Sequence, residues 1–225
     1  MTVLVVAGTG TGVGKTACTA AYAATAAAAG ERVAALKPAQ TGVRPGEPGD
    51  ADEVARLVPE AEVRELARYP EPLAPATAAR RSCLPPVTAR QAAEAAADLA
   101  AEHDLVLVEG AGGLLVRLND RGETIADVAA ELSAQVLLVV RPGLGTLNET
   151  ALTAEALAAR GLTCAGLVIG RWPAFPGLAE RCNLDDLPTE GRAPLLGALP
   201  EGITALPPAA FATASVEALG IPEHR

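Results

Sequence analysis

The chain has few aromatic residues, few histidines and no closely spaced pair of cysteines. Phe, Trp and Tyr make up only 2% of its 225 residues, so the core has to be built from Ala, Val and Leu. The histidines are His103 and His224, which gives little support to zinc ligation or to Ser-His-Asp chemistry. The four cysteines show no C-x-x-C spacing, and we interpret them as reduced, mostly structural thiols.

Positive charge is also scarce, because the formal net charge is −9 and no basic block occurs. This balance argues against a nucleic-acid partner. The N-terminal apolar run has no positive residues before it and stops at Gly8, so it predicts a strand and not a signal peptide. The run Ala17–Ala29 is too short and too weakly apolar to span a bilayer. We therefore expect a cytoplasmic protein without a membrane partner, with residues 1–225 forming one domain.

Apolar runs alternate with Ala-rich runs along the chain. The apolar runs predict strands at Val3–Ala7, Arg32–Leu36, Leu105–Val108, Val136–Val140, Cys164–Ile169 and Leu195–Leu199. The runs between them predict helices at Thr16–Ala29, Asp52–Leu57, Thr88–Glu102, Thr124–Leu132 and Asn148–Ala159. This alternation predicts an α/β fold with a mostly parallel, doubly wound sheet that binds ligands at the carboxyl ends of its strands. Two stretches rich in Gly or Pro, Val43–Gly49 and Tyr69–Pro86, are expected to be loops beside that edge.

A glycine-rich segment between the first strand and the first helix predicts a phosphate-binding loop. Glycines let backbone N–H groups turn inward toward phosphate oxygens, and the next helix presents its positive end to the same anion. Lys15 adds a charge for the outer phosphates, and Thr16 offers a hydroxyl to Mg²⁺. Five residues separate Gly8 from Gly14, one more than the strict pattern allows. The predicted loop residues are Gly8, Thr9, Gly10, Thr11, Gly12, Val13, Gly14, Lys15 and Thr16.

Two further motifs follow apolar strands and point to the same edge of the sheet. Glu109 directly follows the run Leu105–Val108 and precedes glycines, where a carboxylate can bind Mg²⁺ directly or through water. Lys37 directly follows the second predicted strand, at the start of Lys-Pro-Ala-Gln-Thr-Gly. Read alone, Glu109 could also cap the next turn, and Lys37 could be a solvated strand end.

Taken together, these motifs resemble those of the dethiobiotin synthetase family. The family's G-T-x-T-x-V-G-K-T corresponds to Gly8–Thr16 and its K-P-x-x-[ST]-G to Lys37–Gly42. Its [SG]-D-A corresponds to Gly49–Ala51, its V-E-G-A-G-G to Val108–Gly113, and its G-T-[LI]-[NS] to Gly145–Asn148. The motifs occur in the family's order over residues 1 to about 200.

The resemblance implies a P-loop enzyme that uses ATP or another nucleoside triphosphate to carboxylate 7,8-diaminopelargonic acid with CO₂ and close a ureido ring. It implies Lys37, Lys15 and Thr11 as catalytic residues, a homodimer, and Mg²⁺ as the metal. Thr16, Asp50 and Glu109 would hold the metal, with Asp52 a close rival of Asp50. The implied substrate-binding residues are Thr41, Lys37, Gly112, Gly145, Thr146, Leu147 and Asn148. The implied nucleotide-binding residues outside the loop are Gly170, Leu199, Pro200 and Glu201.

The sequence departs from the family pattern at two positions. Gly12 stands where many relatives carry Glu, and Gly170 stands where relatives often carry an Asn that reads the adenine edge. Because glycine has no side chain, Gly170 predicts a relaxed choice of nucleotide base. The alternative is that another group, in Arg171–Pro173, restores adenine recognition.

Two related P-loop families are the competing interpretations. A partitioning or cell-division-positioning ATPase typically carries a second lysine early in the loop, and this chain has Gly10 there. A cobyrinate-type amide synthetase needs a glutaminase domain, for which 225 residues leave no room. The sequence favours dethiobiotin synthesis over both.

Overall fold

Seven parallel strands form one sheet in the computed structural model, which describes residues 1–219. The strands are β1 (Thr2–Gly8), β2 (Val33–Thr41), β3 (Glu62–Tyr69), β4 (Leu105–Glu109), β5 (Gln135–Val140), β6 (Cys164–Trp172) and β7 (Leu195–Pro200). Their order across the sheet is β3-β2-β4-β1-β5-β6-β7, with β1 at the centre. The predicted parallel sheet is therefore confirmed.

Eight α-helices lie among the described residues and cover both faces of the sheet. They are α1 (Lys15–Ala28), α2 (Asp50–Leu57), α3 (Pro75–Ser82), α4 (Ala89–Ala100), α5 (Ile125–Glu131), α6 (Thr146–Ala158), α7 (Leu178–Gly191) and α8 (Pro208–Leu219). Helices α1, α2 and α8 share a core on one face, and α3, α4 and α5 pack on the other. No helix within residues 1–219 is long and apolar enough to cross a membrane.

The central strand shows why near-continuous apolar runs mark this sheet. Successive residues of a strand point to opposite faces. Leu4 and Val6 accordingly enter the core beside α1, whereas Val5 and Ala7 enter the core beside α4 and α5. A strand that is covered on both faces thus needs apolar side chains at every position, and small residues such as the alanines of α1 let the helices approach closely.

The sequence missed strand β3 and the helices α3, α7 and α8. Strand β3 lies at the sheet edge, where its residues are mostly half-buried, so its charged sequence gives no apolar run. The stretch Tyr69–Pro86 is not simply a loop, because α3 occupies its middle with Pro75 in the first turn. Helix α7 contains Pro188, which is unfavourable inside a helix.

Boundaries also differ at the functional edge. Strand β2 continues to Thr41, so Lys37 lies within the strand and not at its end. Strand β6 continues to Trp172 and includes Gly170. The loop predicted at Val43–Gly49 is confirmed as irregular chain between β2 and α2. His224 lies outside the described residues.

Candidate functional site

A cavity of about 560 Å³ lies at the carboxyl ends of the central strands, beside the start of α1. In doubly wound folds this is the edge where ligands bind. Its wall combines glycines, hydroxyl groups and charged side chains from the segments singled out in the sequence. The lining residues are Thr11, Gly12, Gly14, Lys15, Thr16, Ala17, Lys37, Ala39, Gln40, Thr41, Asp50, Glu53, Glu109, Ala111, Gly112, Gly170, Arg171, Pro200, Gly202, Ile203 and Thr204.

The glycine loop wraps around one end of this cavity and is packed directly on β6. Gly14 has a φ of 99°, in the left-handed region that favours glycine, and α1 begins immediately after it. A Cβ atom on Gly14 would lie 2.5 Å from the carbonyl oxygen of Gly170. A Cβ atom on Gly170 would lie 2.2 Å from the carbonyl oxygen of Val13. Backbone therefore meets backbone here, and neither glycine has room for a side chain.

Four polar side chains meet at the centre of the cavity wall. The Nζ atom of Lys37 lies 2.6 Å from Oδ2 of Asp50 and 2.7 Å from Oε1 of Glu109. It also donates to the carbonyl oxygen of Gly110 at 3.2 Å. The hydroxyl of Thr16 donates to the same Glu109 oxygen at 2.9 Å. Strands β2 and β4 and the first turns of α1 and α2 thus converge on one charge cluster.

Sheet register explains why Lys37 and Glu109 meet. In the β2–β4 pair, Leu36 lies opposite Val108, so the next residue of each strand is Lys37 and Glu109. The pairing stops at Leu36, and Pro38 beyond it has no N–H group to donate to a neighbouring strand. Both charged side chains are almost fully buried, at 5% and 4% exposure. A buried charge is costly unless it is paired, so the two stabilise each other.

The rivals Asp50 and Asp52 face different surroundings. Asp50 lines the cavity, and its backbone N–H donates to Oε1 of Gln40 at 2.8 Å. Asp52 accepts the backbone N–H of Gly49 at 2.7 Å and pairs with Arg68 of β3 at 3.1 Å. Asp52 therefore fixes the start of α2, whereas Asp50 points to the charge cluster. The metal-ligand role of Asp50 stays a prediction that this arrangement favours.

Burial and charge set the protonation of the two lysines. Burial, followed by the positive charge of Lys37, lowers the pKa of Lys15 to about 8. Its ammonium donates to the carbonyl oxygen of Gly10 at 3.0 Å. Burial also acts to lower the pKa of Lys37, but Glu109 and Asp50 outweigh it and hold that pKa above its usual value. Lys37 is thus a permanent positive charge between two carboxylates.

The donors around this cluster fit Mg²⁺. Asp50, Glu109 and Thr16 offer the hard oxygen atoms that this ion prefers, and their carboxylates already hold the ammonium of Lys37. Residues 1–219 contain no group of three or more His, Cys, Asp or Glu side chains arranged to bind a metal. A metal here would rely on two carboxylates and on the phosphates of a nucleotide, as Mg²⁺ commonly does.

The cavity does not collect every residue that the sequence predicted. Val13 and Leu199 are buried in the core, and Glu201 pairs with Arg171 at 2.8 Å on the outer surface. Gly8 ends β1, and neither it nor the next two residues, Thr9 and Gly10, line the cavity. The predicted substrate-binding residues Gly145, Thr146, Leu147 and Asn148 lie outside it, where α6 begins. Their binding roles stay predictions.

Several lining residues were missed. Glu53 lies one helical turn after Asp50, and that i, i+3 spacing could have indicated a shared face. Gln40 lies in the predicted Lys37–Gly42 motif, but its contact with α2 depends on tertiary structure. Ile203 and Thr204 belong to a short 3₁₀ helix (Ile203–Ala205) after β7, for which the sequence offers no signal.

Comparison with known proteins shows the family. A family model described as AAA domain matches residues 2–208. The ATP-dependent dethiobiotin synthetase of Streptomyces avermitilis is 64% identical over 211 residues, covering 94% of this chain and 89% of that protein. Its counterpart from Saccharopolyspora erythraea is 66% identical, with coverages of 94% and 92%. This chain belongs to the dethiobiotin synthetase family. The resemblance seen in the sequence motifs is confirmed.

Solved structures show how widely the dethiobiotin synthetase fold is shared. The cell division ATPase MinD of Pyrococcus furiosus has a TM-score of 0.61 at 18% identity, covering 96% of this chain and 98% of that chain. The cell division protein FtsY of Thermotoga maritima has a TM-score of 0.58 at 19% identity, with coverages of 96% and 68%. At this identity they share the fold alone, so they give no support to the cell-division alternative.

Proposed function

We propose that this chain is an ATP-dependent dethiobiotin synthetase that converts 7,8-diaminopelargonic acid and CO₂ to dethiobiotin. The observation that carries the proposal is the charge cluster of Lys37, Asp50 and Glu109 at the mouth of the glycine loop. It occurs in a chain that is more than 60% identical to enzymes of that name over nearly its whole length.

Each residue of the cluster suits a reaction between two anions. The loop N–H groups and Lys15 would bind the phosphates of the nucleotide. Mg²⁺, held by Thr16, Asp50 and Glu109, would neutralise charge that develops on those phosphates. Lys37 would place a positive charge where a carbamate approaches the γ-phosphate. The Thr11 and Thr41 hydroxyls at the cavity wall would hydrogen-bond the γ-phosphate and the carbamate, and Gly112 would leave space beside them.

The reaction needs no protein nucleophile. One amine of the substrate adds to CO₂ and loses a proton, giving a carbamate. A carbamate oxygen then attacks the γ-phosphorus, and the nucleoside diphosphate leaves. The second amine attacks the carbonyl of the mixed anhydride, closes the ring and expels phosphate. This chemistry asks the protein for positioning and charge neutralisation, which the cavity wall offers.

The start of α6 is the proposed site for the substrate carboxylate. Gly145 precedes the helix with a φ of 91°, and no side chain caps the first turn. Free N–H groups at a helix start attract carboxylates. Because Gly145–Asn148 lie outside the cavity of the same chain, we propose that they serve the site of a second subunit in a homodimer.

Nucleotide choice is proposed to be relaxed. Gly170 offers only backbone to a base, and the packing of Val13 against it leaves no space for a longer side chain. Pro200, Ile203 and Thr204 line this end of the cavity and would determine the remaining preference. A lost pair of base-edge contacts is worth about 1–3 kcal/mol.

Phosphate release measured with each substrate omitted in turn tests the proposal. We expect release that requires both diaminopelargonate and bicarbonate and that matches dethiobiotin formation one to one. The Asp50→Asn variant should lose this coupled release, and the Arg90→Gln variant, changed on the exposed side of α4, should keep it. Phosphate release that ignores both substrates, or that responds instead to DNA or lipid, would refute the assignment.

A further inference from the structure

An arginine outside the cavity contacts the phosphate loop from behind. Arg141 directly follows β5, whose residue Val139 accepts the backbone N–H of Thr9 at 3.1 Å. The Nη2 atom of Arg141 donates to the carbonyl oxygen of Thr11 at 3.2 Å. This guanidinium therefore reaches the middle of the loop, although it does not line the wall of the main cavity.

The peptide that Arg141 contacts is poorly supported by packing. Gly12 has a φ of 72°, and a Cβ atom built on it would meet nothing within 4 Å. With glycines at positions 10, 12 and 14, this segment has unusual backbone freedom. On the cavity side, Lys15 holds the carbonyl oxygen of Gly10, and on the outer side Arg141 holds that of Thr11.

Peptide geometry connects the held carbonyl to the binding surface. In a trans peptide the C=O and the following N–H point in opposite directions. A Thr11 carbonyl drawn toward Arg141 therefore turns the N–H of Gly12 away from Arg141. Gly12 lies between the main cavity and a second cavity that Arg141 lines, so the side away from Arg141 is the main cavity. A positively charged donor also polarises the peptide, which strengthens that N–H as a donor.

We propose that Arg141 is a positioning residue that orients the Thr11–Gly12 peptide so that the Gly12 N–H binds a phosphate of the nucleotide. This inference rests on the proposed nucleotide-binding role of the loop. Arg141 itself does not touch the phosphates, so it acts through the backbone.

Calorimetric titration of the whole protein with ATP and Mg²⁺ tests this role. Arg141→Gln should weaken binding about three- to tenfold, the range for one partly exposed, charge-assisted hydrogen bond. The KM for the nucleotide should rise by the same factor, with kcat at saturation within twofold of the parent. Arg141→Lys should recover most of the affinity, because it keeps the charge and one donor.

A matched control separates this effect from a general loss of positive charge. Arg160→Gln removes a chemically similar contact, from Nη1 to the carbonyl oxygen of Ala156 at 3.0 Å, at the end of α6. It should leave ATP affinity unchanged. Without nucleotide, hydrogen exchange at the Gly12 amide should accelerate in Arg141→Gln and not in Arg160→Gln.

The outcomes are distinguishable. A parent protein that does not bind ATP overturns the proposed function itself. A parent that binds ATP, with Arg141→Gln equal to it in affinity and in Gly12 exchange, overturns the role of Arg141 alone. An equal loss in both glutamine variants also overturns it, because the effect would then be one of net charge.

Discussion

Replacing Gly170 with alanine should lower the affinity for every nucleotide to a similar extent. The new Cβ atom would lie 2.2 Å from the Val13 carbonyl oxygen, so the loop and β6 must separate by about 1 Å to reach an allowed contact. Side-chain rotation can move Val139 Cγ1, which would lie 2.8 Å from the new Cβ atom, but it cannot relieve the closest overlap, because the Val13 oxygen is a backbone atom. Overpacking of this kind costs about 1–3 kcal/mol. If the loop moves to relieve the overlap, this energy is lost from phosphate binding, and nucleotide affinity falls about 5- to 150-fold.

Parallel titrations of ATP, GTP, CTP and UTP into parent and variants test this reasoning. For the parent, we expect ATP to be favoured by less than a hundredfold, about 2.7 kcal/mol, over at least one other nucleotide. Gly170→Ala and Gly170→Asn should lose affinity for all four alike.

Gly166→Ala in the same strand is the matched control for Gly170→Ala. Its Cβ atom would lie 2.3 Å from Cδ1 of Leu196, a side chain that can move. It should therefore change thermal stability without changing nucleotide affinity. A Gly170→Asn variant that binds ATP tenfold more tightly than the parent, with the other nucleotides unchanged, would refute the steric argument.

Four further predictions follow from the site. Lys37→Gln should lower kcat about 30- to 1,000-fold and change nucleotide affinity far less, and a near-parental kcat would contradict this. It should also raise the affinity for Mn²⁺ in the absence of nucleotide, because the ammonium no longer pairs with the carboxylates of Asp50 and Glu109. Asp50→Asn should abolish activity and leave the free energy of unfolding in urea nearly unchanged. Asp52→Asn should keep activity and lower that free energy by about 0.5–1 kcal/mol. The reverse pattern would mean that Asp52, and not Asp50, is the functional carboxylate. Lys15 has a pKa of about 8 and phosphate favours its charged form, so kcat/KM for the nucleotide should fall as the pH rises above about 8. Calorimetry in buffers of different ionisation enthalpy should detect proton uptake when the nucleotide binds. A kcat/KM that stays constant up to pH 10 would contradict this role of Lys15. Asn148→Asp places a negative charge at the proposed carboxylate site, so it should raise the KM for diaminopelargonate but not for ATP. A protein that sediments as a monomer and is fully active would exclude a substrate site formed by two subunits.

The predictable part of the fold is the buried part. Strands β1, β4 and β5 are covered on both faces, and their apolar runs located them to within a residue or two. Strand β3 was not predicted because an edge strand needs apolar residues on fewer sides, and its Arg68 and Glu65 form an ion pair instead. Helix α7 escaped because its polar sequence and Pro188 give no helical periodicity.

The candidate site was predictable where chemistry fixes both residue type and spacing. Thr11, Gly12, Gly14, Lys15 and Thr16 of the loop line one cavity with Lys37, Asp50 and Glu109. The apolar strands before the loop, Lys37 and Glu109 suggested this, whereas Asp50 came from the family motif. Contacts made through tertiary structure were not predictable. The contact of Gln40 in β2 with the N–H of Asp50 depends on how the chain between them folds back. The contact of Arg141 with Thr11 depends on the position of β5 beside β1, which no local pattern encodes.

The pinned ends of the segment between β2 and α2 have an evolutionary consequence. The N–H of Gly42 donates to the carbonyl oxygens of Tyr69 and Glu71, and the N–H of Asp50 donates to the side chain of Gln40. Glu47 is held as well, because its carbonyl oxygen accepts a hydrogen bond from Arg68. The four residues between Gly42 and Glu47 can therefore change in number without moving Asp50. Doubling the length of a flexible loop adds only about 0.6 kcal/mol to its closure. We expect insertions to accumulate here among relatives, which makes this segment a natural place to graft an affinity tag or a fluorescent reporter.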